Sequence, residues 1–510
     1  MKTSSWSPLA LTIVLGLSRS AVALRLEVRG IDARASHGRR GGIATLDNNS
    51  NVKYYVNITV GGQVFNALLD TGSSDLWVAR SIPGAVATGT NASLSYAIGE
   101  VAGPVKTASL DLLGFNVPDQ AFIEIDPSTS TLPDDAVIGV GPTSSSEVYS
   151  ALGQKPAGDA PLDRIFRQNT STPNSLTILL NRSDDPAEPV PGSITVGELV
   201  PGYERIVNQP TVNVTVNARK DSGEQHWQVL LDEDGVIGPD GQPINVKSAV
   251  ASTSNKAQLT AVFDSGFSMP QVLPSVAEAF YSRIDGARFD KAHNFWVIPC
   301  TAELNVSFKI GGQLYPVHPL DMSTDYDGLS DAKPGECTGT FQPITYKGDP
   351  DIDMILGMAF LRNVYLLINY GDFVDGSTTR ASPFVQLLST TNDTSHADFV
   401  GVRLHGIDTT GSQPLTSAIS STQDPHFQDC FFERHKTVLL VSFEVGGALV
   451  LALVVFAIYA LYKWRRTVKS ANVHDLTDDL HSLYSPVLVE RVKRYKNSKR
   501  YTVLDMAAES

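Results

Sequence analysis

Three cysteines among 510 residues, Cys300, Cys337 and Cys430, are too few for a small fold stapled by disulfides. They form no C-x-x-C, and the ten histidines form no H-x-x-x-H, so the usual zinc patterns are absent and neither a metal nor a cofactor is expected. Basic residues are outnumbered, 40 Lys and Arg against 54 Asp and Glu. The formal net charge of −14 argues against nucleic acid as the main partner. Convincing long amphipathic helices are few. Disorder throughout is excluded by a 42% share of hydrophobic residues, and the length suggests two to four folding units.

The charge is unevenly spread. Residues 24–437 carry 28 basic against 47 acidic side chains, a balance of −19, whereas residues 463–510 carry 10 against 6, a balance of +4. A soluble surface accounts for the acidic part. So does a protein built for acidic fluid, where protonation of carboxylates relieves self-repulsion.

The two ends read as membrane-targeting signals. Residues 1–23 form a secretory signal peptide, with Lys2, the apolar run Pro8 to Leu17, and small residues at Ala21-Val22-Ala23 for cleavage. Near the other end, Val445 to Tyr462 is free of charge, and extension back to Val438 gives a transmembrane helix over 438–462. Glu444 then sits towards one interface. Lys463, Arg465, Arg466 and Lys469 follow at once, so residues 463–510 are a cytoplasmic tail. Eight N-x-[ST] sequons, at Asn48, Asn57, Asn91, Asn169, Asn181, Asn213, Asn305 and Asn392, all precede the span. That one-sided placement suits a lumenal or extracellular domain, at the cell surface or in a vacuole or endosome. Cys300 and Cys337 can pair in such a compartment, while Cys430 has no obvious intrachain partner.

Between these signals, residues 24–45 are basic and glycine-rich with Arg39-Arg40, and read either as a short propeptide or as an unstructured arm. Residues 406–437 are rich in Ser and Thr and read as a stalk. The body is mainly β. Short apolar or alternating runs at Lys53 to Val60, Val64 to Leu69, Leu176 to Leu180, Ser193 to Val196 and Trp227 to Leu231 are punctuated by turn residues. One helix is expected at Ser275 to Arg283.

One pattern occurs twice. Ala67-Leu68-Leu69-Asp70-Thr71-Gly72-Ser73-Ser74 is matched by Ala261-Val262-Phe263-Asp264-Ser265-Gly266-Phe267-Ser268. Downstream, Val137-Ile138-Gly139 is matched by Ile355-Leu356-Gly357. Two similar lobes follow, at 46–215 and 216–405. The tripeptide alone is unspecific: Asp221-Ser222-Gly223 lies among charged residues with no apolar strand leading in, and reads as an ordinary turn. The repeated copies differ because an apolar strand delivers each carboxylate to a covered place.

Two such carboxylates suit peptide hydrolysis without metal or covalent nucleophile. One accepts a proton from an attacking water while the other donates to the substrate. Held close together they cannot both ionise easily, so they share a proton and titrate as a unit. Gly72 and Gly266 permit close backbone approach. Thr71 and Ser265 supply hydroxyls to hydrogen-bond the opposite loop.

At these residues the chain resembles the pepsin-like aspartic proteases, particularly secreted or membrane-anchored fungal ones, over roughly residues 50–405. The resemblance implies a bilobal fold with its cleft between the lobes, polypeptide substrates, and Asp70 and Asp264 as the catalytic pair. It implies that Ser73 hydrogen-bonds Asp70, that Tyr96 in Ser95-Tyr96-Ala97-Ile98-Gly99 is a flap tyrosine closing over substrate, and that Trp77 supports it. It also implies a disulfide between Cys300 and Cys337. The segment Ile355-Leu356-Gly357, Phe360-Leu361-Arg362 and Tyr365 is similar to a late strand-and-helix signature of that family.

The chain departs from the family in three places. Phe267 replaces the Thr or Ser that usually bonds the second carboxylate, which implies altered proton sharing. Asp70 to Tyr96 spans only 26 residues and lacks a disulfide. The propeptide segment is short. In the tail, Tyr484-Ser485-Pro486-Val487 and Tyr501-Thr502-Val503-Leu504 match a tyrosine-based sorting pattern, and Arg491 to Arg500 is suited to anionic lipid; four-residue matches are weak, and a solvated disordered tail accounts for them better. Two other functions fit the same sequence: a catalytically silent binding protein on this scaffold, and an adhesion protein displayed on the stalk.

Overall fold

The computed structural model describes residues 41–412 except 98, 129–131, 184–190, 217–224, 325–332, 345–350 and 375–380. The signal peptide, Arg39-Arg40, most of the stalk, the 438–462 span, the tail, Cys430 and the Asp221-Ser222-Gly223 turn lie outside the described residues. Among the described residues no helix is long and apolar enough to cross a membrane.

The first half is built almost entirely of strands: β1 (Gly42–Asn49), β2 (Lys53–Val60), β3 (Gln63–Asp70), β4 (Leu76–Val78), β5 (Val86–Tyr96), β6 (Gly99–Leu112), β7 (Phe115–Glu124), β8 (Ala136–Gly139), β9 (Ser175–Leu179) and β10 (Gly192–Val196). Two short helices, α1 (Glu147–Ala151) and α2 (Pro161–Gln168), interrupt them. Alternation decides the faces. In β2, Tyr54, Val56, Ile58 and Val60 point inward while Asn57 faces water. Gly61 and Gly62, at φ +55° and +80°, make the two-residue turn into β3, a conformation that side chains resist.

The second half holds β11 (Val212–Asn213), β12 (Gln228–Leu230), β13 (Val236–Ile237), β14 (Thr260–Phe263), β15 (Gln271–Val272), β16 (Arg288–Asp290), β17 (Phe295–Pro299), β18 (Val306–Ile310) and β19 (Gln313–Val317). They are followed by β20 (Ser323–Thr324), β21 (Glu336–Gly339), β22 (Gln342–Pro343), β23 (Met354–Leu356), β24 (Val364–Asn369) and β25 (Phe384–Ser389). Three helices accompany them: α3 (Pro274–Tyr281), α4 (Met358–Leu361) and α5 (Ser395–Arg403). The expected helix starts one residue early, because Pro274 occupies its first turn, where a missing N–H costs nothing. Gly311 and Gly312 repeat the left-handed two-residue turn between β18 and β19.

The halves join through one sheet. Strands run β11-β25-β24-β9-β10-β1, and β1 continues from β10 into pairing with β2. β1 begins inside the segment 24–45, so Gly42 to Thr45 are sheet residues. Its pairing with Val196 to Ser193, distant in sequence, is why a reading of local pattern missed it.

Each half contains the same three-strand arrangement. β3 lies parallel to β8, which lies antiparallel to β4; β14 lies parallel to β23, which lies antiparallel to β15. In register, Asp70 faces Gly139, and Phe263 faces Leu356. The repeated apolar tripeptides are therefore the strands that flank the repeated aspartates. One buried core, including Leu69, Ile138, Phe263 and Leu356, is shared by both arrangements, and a second, including Leu68, Trp77 and Val137, covers the other face of the first. The Cys300–Cys337 disulfide is formed where β17 meets β21.

Candidate active site

Asp70 ends β3 and Asp264 follows β14. Both are buried, 5% and 7% exposed. Buried strands Ala67–Leu69 and Thr260–Phe263 carry them there, as the apolar run-in of each repeat dictates.

The two loops grip each other. Thr71 N–H donates to Ser265 Oγ at 3.1 Å, and Ser265 N–H donates to Thr71 Oγ1 at 2.8 Å. Each hydroxyl also donates onward, Thr71 to the Phe263 carbonyl at 2.9 Å and Ser265 to the Leu69 carbonyl at 2.8 Å. These four bonds are fully buried and tie each aspartate's loop to the strand that precedes the other aspartate.

The carboxylates meet over glycine. A Cβ on Gly72 would overlap the Asp264 carboxylate, and one on Gly266 would lie 2.5 Å from Asp70 Oδ1. Neither position has room for a side chain. Gly72 N–H donates to Asp70 Oδ1 at 2.8 Å, and Gly266 N–H donates to Asp264 Oδ1 at 2.7 Å.

The pair is unequal. Ser73 Oγ donates to Asp70 Oδ2 at 2.5 Å. The corresponding residue after Asp264 is Phe267, which has no hydroxyl. Burial, joined by the neighbouring Asp70 charge and a hydrogen bond with Asp70, pushes the Asp264 carboxyl well above the usual range. The geometry thus offers one carboxyl pushed towards its protonated form and one whose oxygen a side-chain hydroxyl holds.

A hairpin of β5 and β6, with Tyr96 opposite Gly99 near its tip, brings Tyr96 close to Asp70 and Ser73. Trp77, fully buried, donates from Nε1 to Tyr96 Oη at 2.9 Å. Burial pushes the Tyr96 phenol up, with the Asp70 charge adding to it, and Ser73 hydrogen-bonds the same hydroxyl. Asp70, Ser73, Tyr96 and Trp77 are therefore linked in one chain of contacts.

Of the sequon asparagines, Asn57, Asn91, Asn213, Asn305 and Asn392 are exposed. Asn48 is half-buried, and its amide donates to Asn51 Oδ1 and the Asn181 carbonyl, both at 2.9 Å. Asn169 and Asn181 are half-buried too. Among the described residues no group of three metal-ligating side chains gathers.

Several residues around the site were not singled out from sequence. The Asp75 carboxylate accepts from Ser146 Oγ, Glu147 N–H and Val148 N–H, fixing the start of α1 beside the first motif. The Asp321 carboxylate accepts from Arg182 and Arg362, both buried, which joins the halves. Trp227 and Tyr370 both donate to the Val140 carbonyl, one residue past Gly139. None repeats between the halves, so the internal symmetry that exposed the aspartates could not expose these.

Comparison with known proteins agrees with the geometry. The family model described as eukaryotic aspartyl protease matches residues 53–374. The chain is 23% identical over 389 residues to major aspartyl peptidase 1 of Cryptococcus neoformans var. grubii, covering 68% of this chain and 74% of that protein. It is 25% identical over 426 residues to the aspartic-type endopeptidase ctsD of Aspergillus fumigatus, covering 77% and 82%. The crystal structure of an aspartic proteinase from Irpex lacteus superposes with a TM-score of 0.52 at 18% identity, covering 70% of this chain and 99% of that one, a likeness of fold.

Proposed function

The chain belongs to the eukaryotic aspartyl protease family, and from that premise we propose that Asp70 and Asp264 hydrolyse peptide bonds in polypeptides by activating a shared water. The observation that carries the reading is the mutual approach of the two buried carboxylates across Gly72 and Gly266. Asp264 holds the shared proton because burial and the Asp70 charge disfavour its ionised form. Asp70, oriented by Gly72 N–H and Ser73 Oγ, accepts a proton from the water as it attacks the scissile carbonyl. Asp264 gives its proton to the carbonyl oxygen, and the resulting diol collapses as Asp70 passes the proton taken from water to the leaving nitrogen and Asp264 takes back a proton from a diol hydroxyl. Tyr96, held by Trp77, covers the reacting atoms and excludes bulk water.

The pair works while it holds one proton, which places activity on the acidic side of neutrality. The signal at 1–23, the span at 438–462 and the basic residues behind it support a single-pass protein with its catalytic part in the lumen or outside the cell. The exposed sequons Asn57, Asn91, Asn213, Asn305 and Asn392 support glycosylation on that side.

The test is hydrolysis of a quenched fluorescent polypeptide by the full chain across about pH 3 to 7, where a shared-proton carboxyl pair should titrate. Pepstatin-sensitive cleavage that is lost in both Asp70→Asn and Asp264→Asn is the expected result. A folded chain without cleavage would favour a peptide-binding protein instead, a reading that Phe267 supports.

A further inference from the structure

We propose that Trp227, assisted by Tyr370, is a positioning residue that sets the separation of Asp70 and Asp264. The inference rests on the two-aspartate reading above and adds a second brace to the Thr71–Ser265 grip.

Trp227 precedes β12, which pairs with β14, the strand that leads to Asp264. Its carbonyl accepts Phe263 N–H at 3.0 Å, and Phe263 is bonded directly to Asp264. Its indole Nε1 donates to the Val140 carbonyl at 3.1 Å. Val140 in turn donates its N–H to the Asp70 carbonyl at 2.8 Å. Three hydrogen bonds and one rigid ring therefore connect the backbone at one aspartate to the backbone at the other.

The ring has no freedom to shift. Trp227 and Tyr370 are both 0% exposed, and their rings meet edge to face at 4.6 Å. Phe166 packs against the other partner, 5.1 Å from Tyr370. Tyr370 Oη donates to the same Val140 carbonyl at 2.5 Å, so both acceptor sites of that oxygen are taken. A carbonyl saturated by two buried donors is fixed in direction as well as in distance.

Separation matters because the repulsion that divides the pair's two titrations falls with distance. A brace that slackens lets the carboxylates part, and their titrations converge. A residue that only fills the core would lower stability without this change.

The experiment compares full-length Tyr370→Phe and Trp227→Phe with a control, Tyr365→Phe. Tyr365 is equally buried, and its hydroxyl accepts Val200 N–H and donates to Thr177, remote from the aspartates. Thermal unfolding, kcat and KM against pH, and the carboxyl 13C titration of labelled aspartates are measured. Tyr370→Phe and Tyr365→Phe should lower the unfolding temperature comparably. Tyr370→Phe alone should lower kcat, by about threefold to tenfold for one lost hydrogen bond. Its KM should hold, and the acidic and alkaline limbs of its profile should draw together. Trp227→Phe should move the same readouts further. If it fails to fold, Tyr370→Phe decides. Unchanged limbs and kcat in Tyr370→Phe, or equal changes in Tyr365→Phe, overturn the proposal. If wild-type chain shows no Asp70-dependent cleavage, the protease reading falls while the brace is judged by the carboxyl titration: convergence in Tyr370→Phe supports it, and an unchanged separation overturns it.

Discussion

Thr71 and Ser265 stand 194 positions apart, and the hydroxyl of each accepts the other's main-chain N–H. Replacing either with alanine leaves a buried amide unpaired, at a cost of about 1–3 kcal/mol. Thr71→Ala and Ser265→Ala should each lower the unfolding midpoint and kcat. The double variant should lose less than the two single losses added, because both belong to one network. A thermal double-mutant cycle measures this directly; strict additivity would mean the loops are held elsewhere.

Asp264→Asn should separate function from stability. The Asp264 carboxyl titrates well above its ordinary range through burial and the Asp70 charge. Its favourable contribution is therefore complete below the unfolded value of about 4 and is lost as pH rises through the folded value. The variant should be inactive, and its stability relative to wild type should improve as pH rises from about 4 to 7. Unfolding midpoints of both chains across that range provide the comparison.

Phe267→Ser should restore the hydroxyl that the first motif has at Ser73. A donor to the Asp264 carboxylate favours its charged form, so the proton it holds is lost at lower pH. The alkaline limb of kcat should move down by about one unit. A profile that does not move would mean that Phe267 acts through shape alone.

The Asp321 carboxyl should help hold the halves together above about pH 4 and progressively less in stronger acid. Burial pushes it up, but the Arg182 and Arg362 guanidiniums more than offset this and hold it at about 2. A depressed carboxyl contributes its full stability, about 2 kcal/mol, above the unfolded value of about 4 and loses it progressively as pH falls towards the folded value, so little of it is left at about pH 2. Asp321→Ala leaves two buried guanidiniums without their shared partner and should cost about 3–5 kcal/mol. Denaturant unfolding near neutral pH and in acid would detect both effects.

What was legible in the sequence was what repeats or alternates. β2 matches the alternating run Lys53 to Val60 from end to end, because one face of it is core. The aspartate motifs stood out because an apolar strand and a downstream glycine recur with each. Gly139 and Gly357 are crowded by the backbone of the loops that follow the aspartates, which is the physical reason for that recurrence. Trp227 and Arg182 carried no such signal: an isolated tryptophan or arginine in a chain this long looks like any other. Their partners, Val140 and Asp321, are 87 and 139 positions away, and only folding brings them together.

The sheet that joins the halves has a consequence for the order in which the chain becomes active during synthesis. β9 lies between β10 and β24, and β24 lies between β9 and β25, so residues 175–179 wait for residues 364–389 before that sheet can close. Tyr370, which reaches the backbone beside Asp70, arrives in that same late stretch. A nascent chain therefore emerges with both aspartates and the Thr71–Ser265 grip already translated, but without Tyr370 and the strands that close the joining sheet. Such distant pairing makes assembly slow, so full activity is expected only after residues 384–389 have joined the sheet.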